Sequence, residues 1–420
     1  MLLIKNGRMC GGAASAGTCD ILVKDGKIAD IAENIADDGE AEVIRADGLV
    51  VAPGLVDMHV HFRDPGYEQK EDILTGAAAA AAGGVTTCCC MPNTLPVADD
   101  EAIIRYIIEK AKAAPIKVLP LGAVTIGQKG AELTDFAKLK EAGAVALSDD
   151  GNPIQSAELM RRALRLAHEC GMLIVSHCED ADMVRNYAAN EGEVSRKLGV
   201  PGRPAIAEEI MVARDAMLAA ETGARVHIAH VSTAGSVEII RRAKAADARI
   251  TAETCPQYFT LTEDELLRQG AFARVNPPLR TRNDAAAIVQ GLIDGTIDAI
   301  ATDHAPHTAE EKSLPLTEAP SGMIGLETSL ALALTSLYHP GHLSMERIIA
   351  LMSANPSRIL GLESGILTIG ADADIIIFDP DEEWTVQPER FKSKARNTPF
   401  TGTKLRGKVK FTISGGRHVI

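Results

Sequence analysis

The sequence predicts an α/β protein: a (β/α)8 barrel of the TIM type, with a small β-sandwich domain formed by both termini. Three observations lead there. Apolar strand-like runs alternate with amphipathic helix-like stretches through the middle of the chain. Both ends read instead as short strands broken by turn dipeptides. Nearly every polar residue suited to chemistry closes one of the middle strands, the end where such a barrel gathers its functional groups.

The N-terminal part contains "LLIKNGRM", "DILVKDGKIADI" and "EVIRADGLVVAPG", with Asn6-Gly7, Asp25-Gly26 and Asp47-Gly48 as turn signals. The C-terminal part reads the same way in "GILTIGADADIIIFDP" and "LRGKVKFTISGGRHVI". Residues 1–52 and 366–420 are therefore expected to build one composite β domain, leaving 53–365 as the catalytic barrel.

Eight candidate strands lie within that middle part: Leu55–Val60, Val85–Met91, Lys117–Val124, Ala144–Leu147, Leu173–Ser176, Val226–Ala229, Arg249–Thr254 and Asp298–Thr302. Helical patterns separate most of them, among them "EDILTGAAAAAAGG", "SAELMRRALRLAHEC" and "IAEEIMVARDAMLAAETG". The alanine run ending in Gly83-Gly84 reads as a helix packed closely on the barrel rather than as low complexity.

Composition agrees. Apolar residues make up 46% of the 420 residues and aromatics only 3%, so the core must be built from Ala, Val, Ile and Leu, as buried parallel strands require. A formal net charge of −14 argues against a nucleic-acid partner but not against a small anion met by a local arginine. The 8 cysteines include "CCC" at Cys88–Cys90; neighbours on a strand point to opposite faces, so these read as small buried hydrophobes in a reducing compartment. The start "MLLIKNGRMC" does not read as a signal peptide and no stretch has membrane-spanning composition, so the expectation is a cytoplasmic protein with no membrane partner.

The stretch "VDMHVHFRDPG" concentrates the chemistry. Positions i and i+2 of a strand share a face, so His59 and His61 can ligate one ion. Asn93 follows strand two, Asp149 and Asp150 close strand four, His177 strand five, His230 strand six and Asp303 strand eight. Imidazoles with carboxylates suit a borderline divalent metal, zinc above all. Four histidines and two aspartates exceed the needs of one tetrahedral ion and suit two ions sharing a bridging carboxylate. His227 lies three residues from His230, which places it on the opposite strand face as packing. His304 points away from Asp303 with at most a supporting role. His168, His339, His342 and His418 lack strand-end placement.

Together "HVHFRDPG", "CMPNT", "SDDG", "SHCED", "AHVS", "NPPLR", "ATDHAPH" and "APSGMIGLET" closely resemble the class I, bacterial-type dihydroorotases of the amidohydrolase superfamily. The likeness extends through the chain to "GADADIIIF". It implies a zinc-dependent enzyme with two Zn²⁺ per subunit: His59, His61 and Asp303 on one, His177 and His230 on the other, and Asp150 bridging. The choice of Asp150 over Asp149 comes from the family's placement of the ligand beside the glycine. Arg63, Asn93 and His307 are implied as a clamp on the substrate α-carboxylate. His61, Asn276 and the backbone at Ser321 and Gly322 are implied as further contacts, although many relatives carry an aromatic residue where Ser321 stands. The alternative for Arg63 is a structural salt bridge to Asp64 or Glu68.

The implied reaction is the reversible cyclisation of N-carbamoyl-L-aspartate to L-dihydroorotate, the third step of de novo pyrimidine biosynthesis. Asp303 would act as general base and then general acid. Implied partners are a second copy in a homodimer and aspartate transcarbamoylase. The polar segment after His307 suits a mobile loop over the site. Two competing readings remain. Sister cyclic amidases (allantoinase, hydantoinase, dihydropyrimidinase) typically bridge their metals with a carboxylated lysine at the end of strand four, where this chain has "ALSDDG". A silent dihydroorotase-like scaffold characteristically loses metal ligands, which this chain keeps.

Overall fold

The computed structural model describes residues 1–11, 17–37, 39–185 and 187–420. In chain order the strands are β1 (Leu2–Met9), β2 (Thr18–Lys24), β3 (Lys27–Ala32), β4 (Glu42–Arg45), β5 (Val50–Pro53), β6 (Leu55–Val60), β7 (Val85–Cys90), β8 (Lys117–Pro120) and β9 (Leu147–Ser148). They continue with β10 (Ile174–Ser176), β11 (Ala189–Asn190), β12 (Gly202–Arg203), β13 (Val226–Ile228), β14 (Ile250–Thr254), β15 (Ala299–Ile300), β16 (Ile375–Thr385), β17 (Lys404–Ser414) and β18 (Arg417–His418).

Both termini enter one sheet, in the order β18-β17-β16-β5-β1-β2-β3 with β4 on β1. The joint is β5 against β16, antiparallel, pairing Pro53 with Ile375 and Val50 with Phe378. One face of this sheet buries Ile4, Ile21, Val23, Val51, Ile375 and Ile413 in a core of its own. Each such side chain contributes roughly 1.5–3 kcal/mol on burial.

The barrel runs β6-β7-β8 in one parallel group and β9-β10-β13-β14-β15 in the other. Parallel bridges Gly122–Leu147 and Val60–His304 close the ring, the second reinforced by His61 N–H donating to the His304 carbonyl at 2.9 Å. All eight observed strands fall within or across the eight expected ones.

Local rules explain the helices. Asp72 caps Ile73–Ala82 in a capping box with Thr75, and the helix stops at Gly83. Its alanine face must approach closely: a Cβ on Gly76 would stand 2.4 Å from the Phe62 ring. Ser156 caps Ala157–Cys170 by accepting from the Leu159 N–H at 3.2 Å, and left-handed Gly171 ends it. The cysteine triplet alternates: Cys88 and Cys90 pack in the strand–helix core and Cys89 among Met58, Leu121 and Val175. All eight thiols are free, and burial raises those of Cys88–Cys90 far above the ordinary range, so they behave as apolar packing. No helix among the described residues is long and apolar enough to cross a membrane.

Candidate metal centre

At the C-terminal mouth of the barrel the strand-end residues converge. His59, His61 and Asp150 form one buried group and Asp150, His177 and His230 a second, the potential ligand atoms of each lying within 4.8 Å of one another. Asp150 belongs to both. Its Oδ1 is 3.5 Å from His59 Nε2, 3.4 Å from His177 Nδ1 and 3.4 Å from His230 Nε2, and its Oδ2 is 3.4 Å from His61 Nε2. Asp303 Oδ1 lies 3.0 Å from His61 Nε2 and 3.5 Å from His59 Nε2. Asp149 faces away and accepts from the Val124 N–H at 2.8 Å and the Thr125 N–H at 3.1 Å. The choice that strand alternation could not make is thus made by which carboxylate the loop consumes.

Neighbouring acceptors set the histidine tautomers. Nδ1–H of His59 donates to Glu253 Oε1 at 2.8 Å, and Nδ1–H of His61 to Asn93 Oδ1 at 2.8 Å. Nε2–H of His177 donates to Glu179 Oε2 at 3.1 Å. Each bond turns the other ring nitrogen, with its lone pair, toward Asp150.

This donor set fits a divalent cation. His59 Nε2 and Asp150 Oδ1 are buried without a hydrogen-bond partner, and His177 Nδ1 faces His230 Nε2 at 2.7 Å. Two imidazole nitrogens that close need a proton or a cation between them. Burial works against both charged forms, yet mutual attraction holds Asp150 well below the ordinary carboxylate range and His59 well above the ordinary imidazole value. A dication would take the place of those protons.

Three site residues occupy the left-handed region rarely used by side-chain-bearing residues: Arg63 (φ 61°), His230 (φ 34°) and Asp303 (φ 48°). Each stands where a strand gives way to a loop, and each costs on the order of 1 kcal/mol. The turn at His230 corrects one expectation. His227 is not outward packing: its Nε2 sits 3.3 Å from Glu253 Oε2, on the same carboxylate that holds His59. Strand β13 ends at Ile228, so the alternation that would separate positions 227 and 230 is broken before it reaches His230.

The expected substrate groups surround the cluster. Arg63 is half-buried, and its Nε donates to the Pro306 carbonyl at 3.4 Å. Burial lowers its pKa, opposed by attraction to Asp303 and Asp150. Asn93 accepts from His61, and among the described residues its NH2 has no hydrogen-bond acceptor. His307 Nε2–H donates to the Ser321 carbonyl at 2.9 Å, and burial with neighbouring Arg63 pushes its pKa down to about 2, so it is neutral. Gly322 N–H is taken by the Arg274 carbonyl at 2.9 Å, which leaves Ser321 N–H as the backbone donor of that pair. The Ser321 hydroxyl accepts from Arg274 Nε at 3.3 Å.

The segment after His307 is anchored. Thr308 and Glu311 cap the turn Ala309–Lys312, and the buried Lys312 Nζ, its pKa pushed down to about 7 by burial, donates to the Pro320 carbonyl at 2.9 Å and the Gly322 carbonyl at 3.0 Å. His304 sits apart, accepting from the Gly325 N–H at 3.2 Å.

Sequence reasoning missed Asp57, Glu179, Arg203 and Glu253, all buried ionisable residues around this centre, with burial pushing the Asp57 carboxyl up to about 7. A charged residue inside an otherwise apolar strand, as in "ITAET", was the available signal for Glu253.

Residues 48–236 match the family described as Dihydro-orotase-like, and residues 322–420 match the Amidohydrolase family. Dihydroorotase from Pelotomaculum thermopropionicum is 52% identical over 420 residues, covering 100% of this chain and 98% of its own length. Dihydroorotase from Acetivibrio thermocellus is 49% identical over 421 residues, with 100% and 99% covered. Among solved structures, L-hydantoinase (dihydropyrimidinase) from Arthrobacter aurescens superposes with a TM-score of 0.89 at 28% identity, covering 99% of this chain and 95% of that one. Dihydropyrimidinase from Brevibacillus agri, at a TM-score of 0.87 and 24% identity over 100% and 95%, shares the fold.

Proposed function

The chain belongs to the dihydroorotase family of the amidohydrolases, and from that premise we propose that it interconverts N-carbamoyl-L-aspartate and L-dihydroorotate at a two-zinc centre in residues 53–365. The composite domain of residues 1–52 and 366–420 supplies none of the proposed ligands, but its Asn397 accepts from the His307 backbone N–H at 3.1 Å and donates to the Gly322 carbonyl at 3.1 Å, steadying that wall of the site. The observation that carries this reading is Arg63. A half-buried guanidinium bonded to one carbonyl, with no carboxylate partner among the described residues, stands beside the histidine–aspartate cluster. It calls for an anionic ligand, and a bidentate carboxylate is its natural complement. Dihydroorotate carries that carboxylate at the ring carbon; hydantoin and dihydropyrimidine rings do not.

His59, His61 and Asp303 hold one ion in this reading, His177 and His230 the other, and Asp150 both. When bound, the zinc pair supplies Lewis acidity at the ring carbonyl and acidifies the attacking water. Arg63 and the Asn93 NH2 hold the α-carboxylate, joined by His307 when its Nε2–H turns from the Ser321 carbonyl to the substrate. Asn276, His61 and the backbone at Ser321 hold the rest of the ring, and Gly322, its N–H bonded to the Arg274 carbonyl, shapes the turn beside it. Asp303 takes the proton from water at a carboxylate oxygen and passes it to the departing ring nitrogen. In the cyclisation direction the same carboxylate removes the ureido proton and returns it to the departing oxygen.

Zinc-loaded protein should open L-dihydroorotate, followed by loss of its ultraviolet absorbance, and leave hydantoin and allantoin untouched. Turnover of the uncharged rings alone would favour a sister amidase. Silence on all three, with two zinc ions bound, would favour a scaffold role. A homodimer, a cytoplasmic location and an association with aspartate transcarbamoylase belong to the same proposal.

A further inference from the structure

Between the second ligand group and a cavity of about 460 Å³ lies a closed ring of four polar side chains: His177, Glu179, Arg203 and Asn276. His177 Nε2–H donates to Glu179 Oε2 at 3.1 Å. Arg203 Nη1 pairs with the same oxygen at 3.0 Å and also donates to Asn276 Oδ1. Asn276 Nδ2 returns to within 3.4 Å of His177 Nε2. Arg203 is only 5% exposed, and its Nε donates to the Tyr187 carbonyl at 2.6 Å.

An asparagine amide can face either way at little intrinsic cost, and its two ends present opposite chemistry. A guanidinium has only donors, so it accepts the carbonyl end and rejects the NH2. His177 Nε2 is itself a donor here, since its N–H points at the Glu179 carboxylate; it offers nothing to the amide NH2 beside it. Both amide hydrogens of Asn276 therefore remain for an acceptor in the cavity. Through Glu179, the same guanidinium holds His177 with Nδ1 toward Asp150.

We propose that Arg203 is a positioning residue that orients two groups at once: the Asn276 amide toward a substrate oxygen and the His177 ring toward the second metal. The proposal rests on the dihydroorotase reading for its substrate half only. Its metal half is independent of which ring is opened.

The test compares Arg203→Met, Arg203→Lys, Asn276→Ala and the double variant Arg203→Met/Asn276→Ala. Zinc affinity, read by competition with a chromogenic chelator, should fall about 10- to 100-fold at one of two sites in Arg203→Met and stay near wild type in Asn276→Ala. KM for dihydroorotate should rise about tenfold in both single variants, and the double variant should be no worse in KM than Asn276→Ala alone. Arg203→Lys, whose ammonium can still donate to both acceptors, should recover part of each loss. KM effects that multiply in the double variant, or unchanged zinc affinity and KM with only a lower melting temperature, would overturn the proposal. Should the wild type bind zinc but leave dihydroorotate intact, the functional reading fails, while the chelator competition still decides the role of Arg203.

Discussion

Arg63 and Asp64 are chain neighbours of opposite charge, yet they do not pair. Asp64 is buried and fully engaged: Lys110 Nζ at 2.6 Å, the Tyr106 hydroxyl at 3.0 Å and the Ile73 N–H at 3.2 Å. Glu68, the other acid that could have neutralised the arginine, accepts from the Gly66 N–H. With its left-handed φ of 61°, Arg63 turns instead toward the histidine–aspartate cluster. Arg63→Met should therefore cost no ion pair, and its melting temperature should match wild type. The loss should appear in kcat/KM for dihydroorotate, by roughly 30- to 1,000-fold, the range for a charge-assisted contact of about 2–4 kcal/mol. Lys110→Met should show the reverse, a destabilisation of about 1–3 kcal/mol with little kinetic effect, because Asp64 loses the partner of its buried charge. Steady-state kinetics and urea denaturation of the two variants separate these outcomes.

The shared position of Asp150 makes a second prediction. One carboxylate lies 3.4–3.5 Å from four imidazole nitrogens, so losing its charge affects both ligand groups. Asp150→Asn should lower zinc content from two ions to one or fewer per chain, and activity by ~10³-fold or more. Stripping the wild type with dipicolinate should lower its stability as well. At free zinc 100-fold above Kd the bound ion contributes about 2.7 kcal/mol, readable as a shift in melting temperature that zinc restores. Equal metal content in the variant and the wild type would remove Asp150 from the bridge.

What the sequence disclosed, and what it hid, follows from the range of the rules. Strand ends, turn dipeptides and the alternation of Cys88–Cys90 are local, and the eight barrel strands were found by them. Strand parity failed at His227 because it assumes extended backbone as far as His230, whereas the strand stops at Ile228 and the chain turns left-handed. Glu253 and Arg203 were invisible for another reason. Their partners, His59 and Asn276, are distant in the chain, and no spacing rule connects residues that only barrel closure or the excursion through β11 and β12 brings together.

His307 supplies a pH dependence. Its folded-state pKa is depressed to about 2 by burial and by Arg63, Lys70 and Lys312, whereas an unfolded histidine titrates near 6.5. Below pH 6.5 the unfolded chain takes up a proton that the folded chain refuses. Stability is therefore complete above about pH 6.5 and declines as the pH falls, by up to about 1.4 kcal/mol per pH unit from this one group. His307→Gln keeps a donor for the Ser321 carbonyl and removes the titration. Urea midpoints from pH 7 to pH 4.5 should fall less steeply in His307→Gln than in the wild type. Parallel slopes would mean that His307 protonates in the folded state.

Glu253 makes the last prediction. It is fully buried in β14, accepting from His59 Nδ1–H at 2.8 Å with His227 Nε2 at 3.3 Å on its other oxygen. Burial alone would raise its pKa, but the two histidines hold it down at about 2, so it stays ionised. That charge both fixes the His59 tautomer and makes Nε2 a stronger donor to a cation. Glu253→Gln is nearly isosteric and can place a carbonyl in the same position, so the fold should persist. The charge is lost, and the NH2 takes the place of the oxygen that faces His227 Nε2. Zinc should then bind 10- to 100-fold more weakly at the His59–His61 side and unchanged at the His177–His230 side. Glu253→Ala should also destabilise the protein by about 3–5 kcal/mol, since it opens a cavity and leaves His59 Nδ1 and His227 Nε2 buried without their carboxylate, His227 keeping only Thr251 at its Nδ1. Cobalt substitution gives the readout: stepwise titration should show one site weakened and one intact. Equal weakening at both sites would mean that Glu253 supports the barrel interior as a whole rather than His59.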